Sequence, residues 1–276
     1  MISRVGRILF GVAAIGWGVN CFVTGSPVSG LEPILATFRG QAVLAYLTGL
    51  VLVVAGGMLA ANVRPRAGAI VLAGVLTSWL LLIHLPRFLP DPLNGAAVTT
   101  TFEVLALAGA AWMMVAGPLA DGVDGRQHEE LARKLFTIGR YAFGASFPVF
   151  GVLHYVYADL VASLVPSWLP AHLFWAYFTG TAHIAAGISI LINRVVRLAM
   201  TLLATMFYLW VLILHIPRVV AHPMRNEWDS LFVAVATGAG ALILLARTSL
   251  ARSSSRRAPL VLSQALLPAP PRVVDG

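Results

Sequence analysis

One short motif occurs twice among the residues able to do chemistry: His84-Leu85-Pro86-Arg87 and His215-Ile216-Pro217-Arg218. Proline ends a helix just after the histidine, and arginine follows it. A planar guanidinium fork beside an imidazole donor suits a quinone oxygen, a carboxylate or a headgroup phosphate. The plainer use is a helix terminus with a cation reaching to the interface. Of the seven histidines, His128 falls in a polar stretch and reads as solvated. His154, His183 and His215 fall in three different apolar segments. Counted from the cytoplasmic ends of their segments at 1.5 Å per residue, His154 and His215 lie ~24–27 Å along and His183 ~15 Å. His183 is then near the membrane midplane. An ionisable group there is costly and faces a helix bundle or water. Its alternative use is a single interhelical hydrogen bond.

These histidines do not have the spacing of a metal motif. No HExxH pair occurs, and Glu103 is the only carboxylate well inside a span, in the other half of the chain. Neither a metal site nor haem is expected, although His84 and His215 could face each other across an axis. Cys21 is the sole cysteine, so an internal disulfide and a CxxC redox pair are excluded. No phosphate-cradling glycine loop and no Ser-His-Asp arrangement is present. No catalytic residue is assigned.

The elements that carry these groups are membrane spans. Of the 276 residues, 59% are apolar and 11% charged. A soluble domain has about 45–50% and about 25%. Eight apolar segments lie near 7–25, 41–61, 67–86, 97–117, 138–158, 173–193, 197–217 and 229–247. Each approaches the ~20 residues that cross a bilayer as helix. The net charge of +8 is placed accordingly, because 15 of the 19 Lys and Arg fall on one side if the N-terminus is cytoplasmic. That bias predicts both termini inside, with no nucleic-acid partner. Residues 118–136 read as a cytoplasmic linker, with a short amphipathic helix at 126–136. Residues 248–276, with SSSRR and PAPP, read as a disordered basic tail lying on anionic headgroups.

The chain also repeats itself. GRILFG at 6–11 matches GRYAFG at 139–144, and LAYLTG at 44–49 matches WAYFTG at 175–180. WLLLIHLPRFLPDP at 79–92 matches WVLILHIPRVVAHP at 210–223. The offset is 133 at the start and 131 from Tyr46 onward. Each repeat has an even number of spans, so the two are parallel, about an axis along the membrane normal. The predicted fold is all-α and integral to the membrane: eight transmembrane helices in two parallel-repeat four-helix bundles, 1–117 and 137–247. The halves differ where chemistry would sit. His154 stands where the first half has Cys21, and His183 where it has Leu52. Trp175 and Tyr177 add to an aromatic-rich end of the second half.

The second half resembles the DoxX-like family of four-span membrane proteins. The resemblance rests on GVLHY at 151–155, VPSWLP at 165–170, WAYFTG at 175–180 and Ala186-Gly187. The first half is a more degenerate copy that keeps Tyr46, Thr48 and Gly49. Relatives often carry an acidic residue near the place of His183. The resemblance implies a four-helix membrane unit, a bacterial-type inner membrane and a quinone-linked role. The expected function is an accessory or quinone/lipid-binding subunit of a membrane redox system. A small-molecule carrier or channel and a structural scaffold remain as alternatives. Its partners would be membrane lipids and a redox subunit, with a homo-oligomer left open. The expected pocket is lined by His154, His183, His215, Arg218, Trp175 and Tyr177, with His84 and Arg87 as the counterpart pair in the first half.

Overall fold

The computed structural model describes residues 1–34, 38–116 and 126–265, with side chains described for all of these except 126–128 and 249–265. These residues are helical, with no strand among them. Helix α1 (Ile2–Thr24) stops at Gly25, whose φ of 60° suits glycine. Helix α2 (Gln41–Ala60) turns tightly into α3 (Pro65–Trp79). A π turn (Leu80–His84) joins α3 to the short α4 (Leu85–Phe88). Helix α5 (Gly95–Val115) starts at Asn94, whose side chain accepts from the Ala97 N–H at 3.0 Å.

The second half begins with α6 (Arg126–Val156), which takes in the expected amphipathic stretch, and then bends by 93° into α7 (Ala158–Leu164). Helix α8 (His172–Leu191) is followed by α9 (Val196–Trp210), a second π turn (Val211–His215) and α10 (Ile216–Ala221). Helix α11 (Arg225–Ala265) runs on into the stretch read as a tail. The linker residues 117–125 and the tail end 266–276 lie outside the described residues. Among the described residues, seven helical runs are long and apolar enough to cross a membrane, with α3–α4 and α9–α10 each counted as one, or eight if the bent α6–α7 pair is one span.

Matched sequence blocks carry matched local geometry. Asn62 and Asn193 both have φ of 56°, in the turns after α2 and α8. Asparagine tolerates this left-handed region better than most residues. Each Asn side chain accepts from an arginine on the first helix of its own half, Arg7 of α1 at 3.2 Å and Arg140 of α6 at 3.0 Å. The two π turns share one cause. Pro86 and Pro217 have no N–H and crowd the carbonyl four residues back, inside the π turn, so the bonding pattern shifts by one.

The packing departs from two self-contained bundles. Helix α1 packs on α2 and on α11, and α6 packs on α8 and on α5. The first helix of each half therefore leans on the last span of the other. Helices α5 and α11 also touch each other and are the most enclosed, 61% and 67% buried against 22% for the α9 span. One core runs through both halves, from Phe10, Trp17 and Leu72 to Phe143, Ile190 and Ala236. The physical reason is close approach at small residues. A Cβ on Gly109 would meet the Gly139 carbonyl at 2.6 Å, and one on Gly139 would meet the Gly109 carbonyl at 2.5 Å. Gly6 meets Ala239 and Ile243 in the same way at the α1–α11 contact.

This packing predicts opposite signs for two similar substitutions. Gly109→Ala should lower the melting temperature in detergent, because overpacking costs about 1–3 kcal/mol. Gly57→Ala, with nothing within 4 Å of its Cβ, should be neutral or stabilising. A thermal-shift series in which both behave alike would contradict the assignment of the α5–α6 contact.

Candidate functional site

The α6–α8 contact places the central pair of histidines. Phe147, Phe150 and His154 lie at i, i+3 and i+7 on α6, so they share one face. That face meets His183 on α8. The helices come close because Gly151 and Gly180 face each other. A Cβ on Gly151 would meet the Gly180 carbonyl at 2.5 Å, and one on Gly180 would meet His154 Cβ at 2.9 Å. The two imidazole centroids are 5.0 Å apart.

A cavity of about 250 Å³ opens beside this pair. His154, His183, Phe150 and Phe207 form one side, and Glu103 and Thr99 on α5 another. The α6–α7 bend brings Tyr157, Leu160 and Val161 over it. His183 is only 6% exposed, and neither ring nitrogen has a hydrogen-bond partner among the described residues. Aromatic rings surround it instead, Phe147 stacked at 5.9 Å and Phe207 at 5.7 Å. His154 is half-buried, and its Nδ1 lies 2.7 Å from the Phe150 carbonyl. A carbonyl only accepts, so Nδ1 carries the proton and neutral Nε2 is left as an acceptor. The Glu103 carboxyl borders the same cavity and likewise has no hydrogen-bond or ion-pair partner among the described residues. No three His, Cys, Asp or Glu side chains among the described residues stand as a metal-ligand set.

Only part of the pocket read from sequence comes together. His154 and His183 share the cavity. Arg218 is engaged elsewhere, donating from Nε and Nη2 to Glu227 at 2.9 and 2.6 Å. His215 is half-buried near that pair and does not line the cavity. Trp175 donates to the Pro170 carbonyl at 3.0 Å and borders a separate apolar groove. Tyr177 is exposed and packs on Tyr155 at 5.3 Å. In the first half His84 is buried, with Nε2 2.8 Å from the Leu31 carbonyl, and Arg87 is exposed. The unexpected member is Glu103. As the one carboxylate well inside an apolar segment it carried a signal, but its place in the other half hid the α5–α6 packing that delivers it.

The matching region of the first half is filled. Trp17 stands where α6 has Phe150, and its indole donates to the Asp229 carbonyl at 3.2 Å. Cys21 and Leu52, in the places of His154 and His183, are both buried. The segment after α1 is drawn inward. Asp229 accepts from Asn20 Nδ2 at 2.7 Å and from the Ser29 N–H at 2.6 Å. Val28, Leu31 and Glu32 are buried as a result. Burial pushes the Glu32 carboxyl up to about 7, against the opposing pull of hydrogen bonds from Thr48 and Trp79.

Residues 143–236 match a family described as a domain of unknown function (DUF8561). The match starts at Phe143 on α6 and reaches Ala236 on α11, so it takes in His154, His183 and His215 and stops short of Glu103's half. No curated protein and no solved structure matches the chain.

The Glu32 environment predicts a pH effect with a definite sign. Its ordinary value is 4.5, so between about pH 4.5 and 7 the folded protein holds a proton that the unfolded chain releases. Stability should fall as pH rises through that window. Glu32→Gln removes this dependence. The melting temperature of wild type relative to Glu32→Gln should fall as the pH rises from 5 and level off above about pH 7. A constant difference would contradict the burial of this carboxyl.

Proposed function

We propose that the protein is a multi-pass membrane protein that binds the polar head of an apolar membrane molecule in its second half. A quinone ring or a lipid carbonyl fits the chemistry. The observation that carries this reading is His183: two ring nitrogens, buried and without partners, facing a second histidine beside a cavity. Leaving such a group unsatisfied costs about 1–3 kcal/mol. One imidazole nitrogen offers an N–H and the other a lone pair, so a ligand oxygen bearing or accepting a hydrogen can be met either way. His154 Nε2 and Glu103 add acceptors that only the hydroxyls of a reduced ring could use. The volume, about 250 Å³, lies below the range of roughly 300–1,000 Å³ for drug-sized ligands, so it suits a single ring or head with its tail outside.

A bound quinone would supply reversible two-electron chemistry; the residues here hold and orient its oxygens and exclude water. The DoxX-like resemblance supports placing the chain as an accessory subunit of a redox system, with lipids and a redox subunit as partners. The charge bias supports an inner-membrane topology with both termini cytoplasmic. The matched turns, π turns and Arg–Asn bonds support two parallel repeats.

Equilibrium binding of ubiquinone-1 to detergent-purified protein tests the site. Wild type should take up one molecule per chain. His183→Leu should weaken uptake about tenfold, which is about 1.4 kcal/mol. His222→Ala, at an exposed position, should leave it unchanged. Equal binding by wild type and His183→Leu, or none by wild type, would overturn the quinone assignment.

A further inference from the structure

In the first half a segment of the chain itself bonds to groups at one end of a groove, and in the second half the matching groups lack that segment's carboxyl. A groove of about 420 Å³ lies between α2 and α3. Each of its seven lining residues, from Leu47 to Trp79, has its counterpart 131 positions on in the lining of a groove of about 500 Å³ between α8 and α9. Thr48 thus matches Thr179, and Trp79 matches Trp210. The second groove is the longer. It follows α8 from Thr179 to Ser189, about 15 Å of helix. Along that length it is lined by Ala182, Ala185, Leu198 and Leu202, with no charged residue.

A carboxyl stands at the Thr48 end of the first groove. Glu32 Oε1 accepts from Thr48 Oγ1 at 3.2 Å, and the Trp79 indole lies beside the same carboxyl. The neighbouring Leu31 carbonyl is bonded to His84 at 2.8 Å. Three groups of the first half therefore hold one short acidic segment of the chain itself.

In the second half the matching three are Thr179, Trp210 and His215. None has the partner that its counterpart has. Trp210 is half-buried against Trp175, and neither its indole N–H nor His215 makes a hydrogen bond among the described residues. Thr179 turns its hydroxyl back to the Trp175 carbonyl at 2.7 Å. In the matching segment 158–171 the one carboxylate is Asp159, exposed in the first turn of α7, and residues 160–171 contain no Asp or Glu. The second half therefore keeps the Trp210 indole and His215 without a hydrogen bond among the described residues and has no buried acid beside them, and an apolar groove runs on from Trp210.

We propose that the α8–α9 groove binds a long-chain carboxylic acid, with its head at Thr179 and Trp210 in the place that Glu32 takes in the first half. The hydrocarbon chain lies along Ala182, Ala185 and Leu202. His183 does not line this groove, so the inference is independent of the quinone reading.

The test is binding of radiolabelled palmitate to the full chain in phosphatidylcholine nanodiscs, whose lipid has no carboxyl head. Binding should saturate at one palmitate per chain. Methyl palmitate should compete at least tenfold more weakly, because it lacks the acid. Trp210→Phe combined with Thr179→Val should weaken binding at least tenfold. Ala185→Phe, at an exposed position inside the groove, should abolish it while leaving the melting temperature near that of wild type. Equal competition by methyl palmitate would reduce the site to an unspecific apolar groove and overturn the proposal. Unchanged binding by Ala185→Phe would do the same.

Discussion

The close glycine contacts between helices set everything else in this structure. In a bilayer, helix association draws on van der Waals packing and interhelical bonds rather than on the hydrophobic effect, so small residues decide where backbones can meet. Gly109 against Gly139 joins the two halves, and Gly151 against Gly180 joins the two helices that carry His154 and His183. The first contact brings Glu103 into the second half's cavity. The second fixes the distance between the imidazoles. A larger residue at either contact would move the cavity wall by ångströms rather than trim one side chain.

On this shared scaffold the halves differ in what they fill. The first half places Trp17, Cys21 and Leu52 where the second places Phe150, His154 and His183. It also draws Val28, Leu31 and Glu32 inward under the hold of Asp229. Leu52 is fully enclosed, so an aliphatic side chain fits the first half's version of this position. A histidine with no partner in the same place is the less stable choice. Such a cost is typical of groups retained for binding rather than for packing. The same contrast separates Glu32, bonded to Thr48 at one end of the α2–α3 groove, from the α8–α9 groove, whose Trp210 has no such partner among the described residues.

Much of the fold was legible in the sequence. Six of the eight apolar segments end within about five residues of a helix or a bent helical run, while α6 begins 12 residues before its segment and α11 runs 18 residues beyond its own. The repeat placed Pro86 and Pro217 at matching points, but each helix runs on through its proline after a π turn instead of ending at it. The partner of each helix was not legible. Glycine spacing says that a close contact exists, not which helix makes it, so α1 on α11 and α6 on α5 could not be read off. That gap explains the site. His154 and His183 were found because both belong to one half and depart from the repeat. Glu103 was set aside because it lies across the linker. Arg218 looked available because its carboxylate partner, Glu227, is on the next helix.

The measurement that bears most directly on the account is nitrogen NMR of ¹⁵N-histidine-labelled protein, with His183 assigned through His183→Leu. Without ligand, His183 should give the signals of a neutral ring with neither nitrogen hydrogen-bonded. Ubiquinone-1 should shift one of its two nitrogen signals while leaving His84, already bonded to the Leu31 carbonyl, in place. A charged or hydrogen-bonded His183 in the free protein, or a response confined to other histidines, would contradict the claim that this unpartnered pair is a binding site.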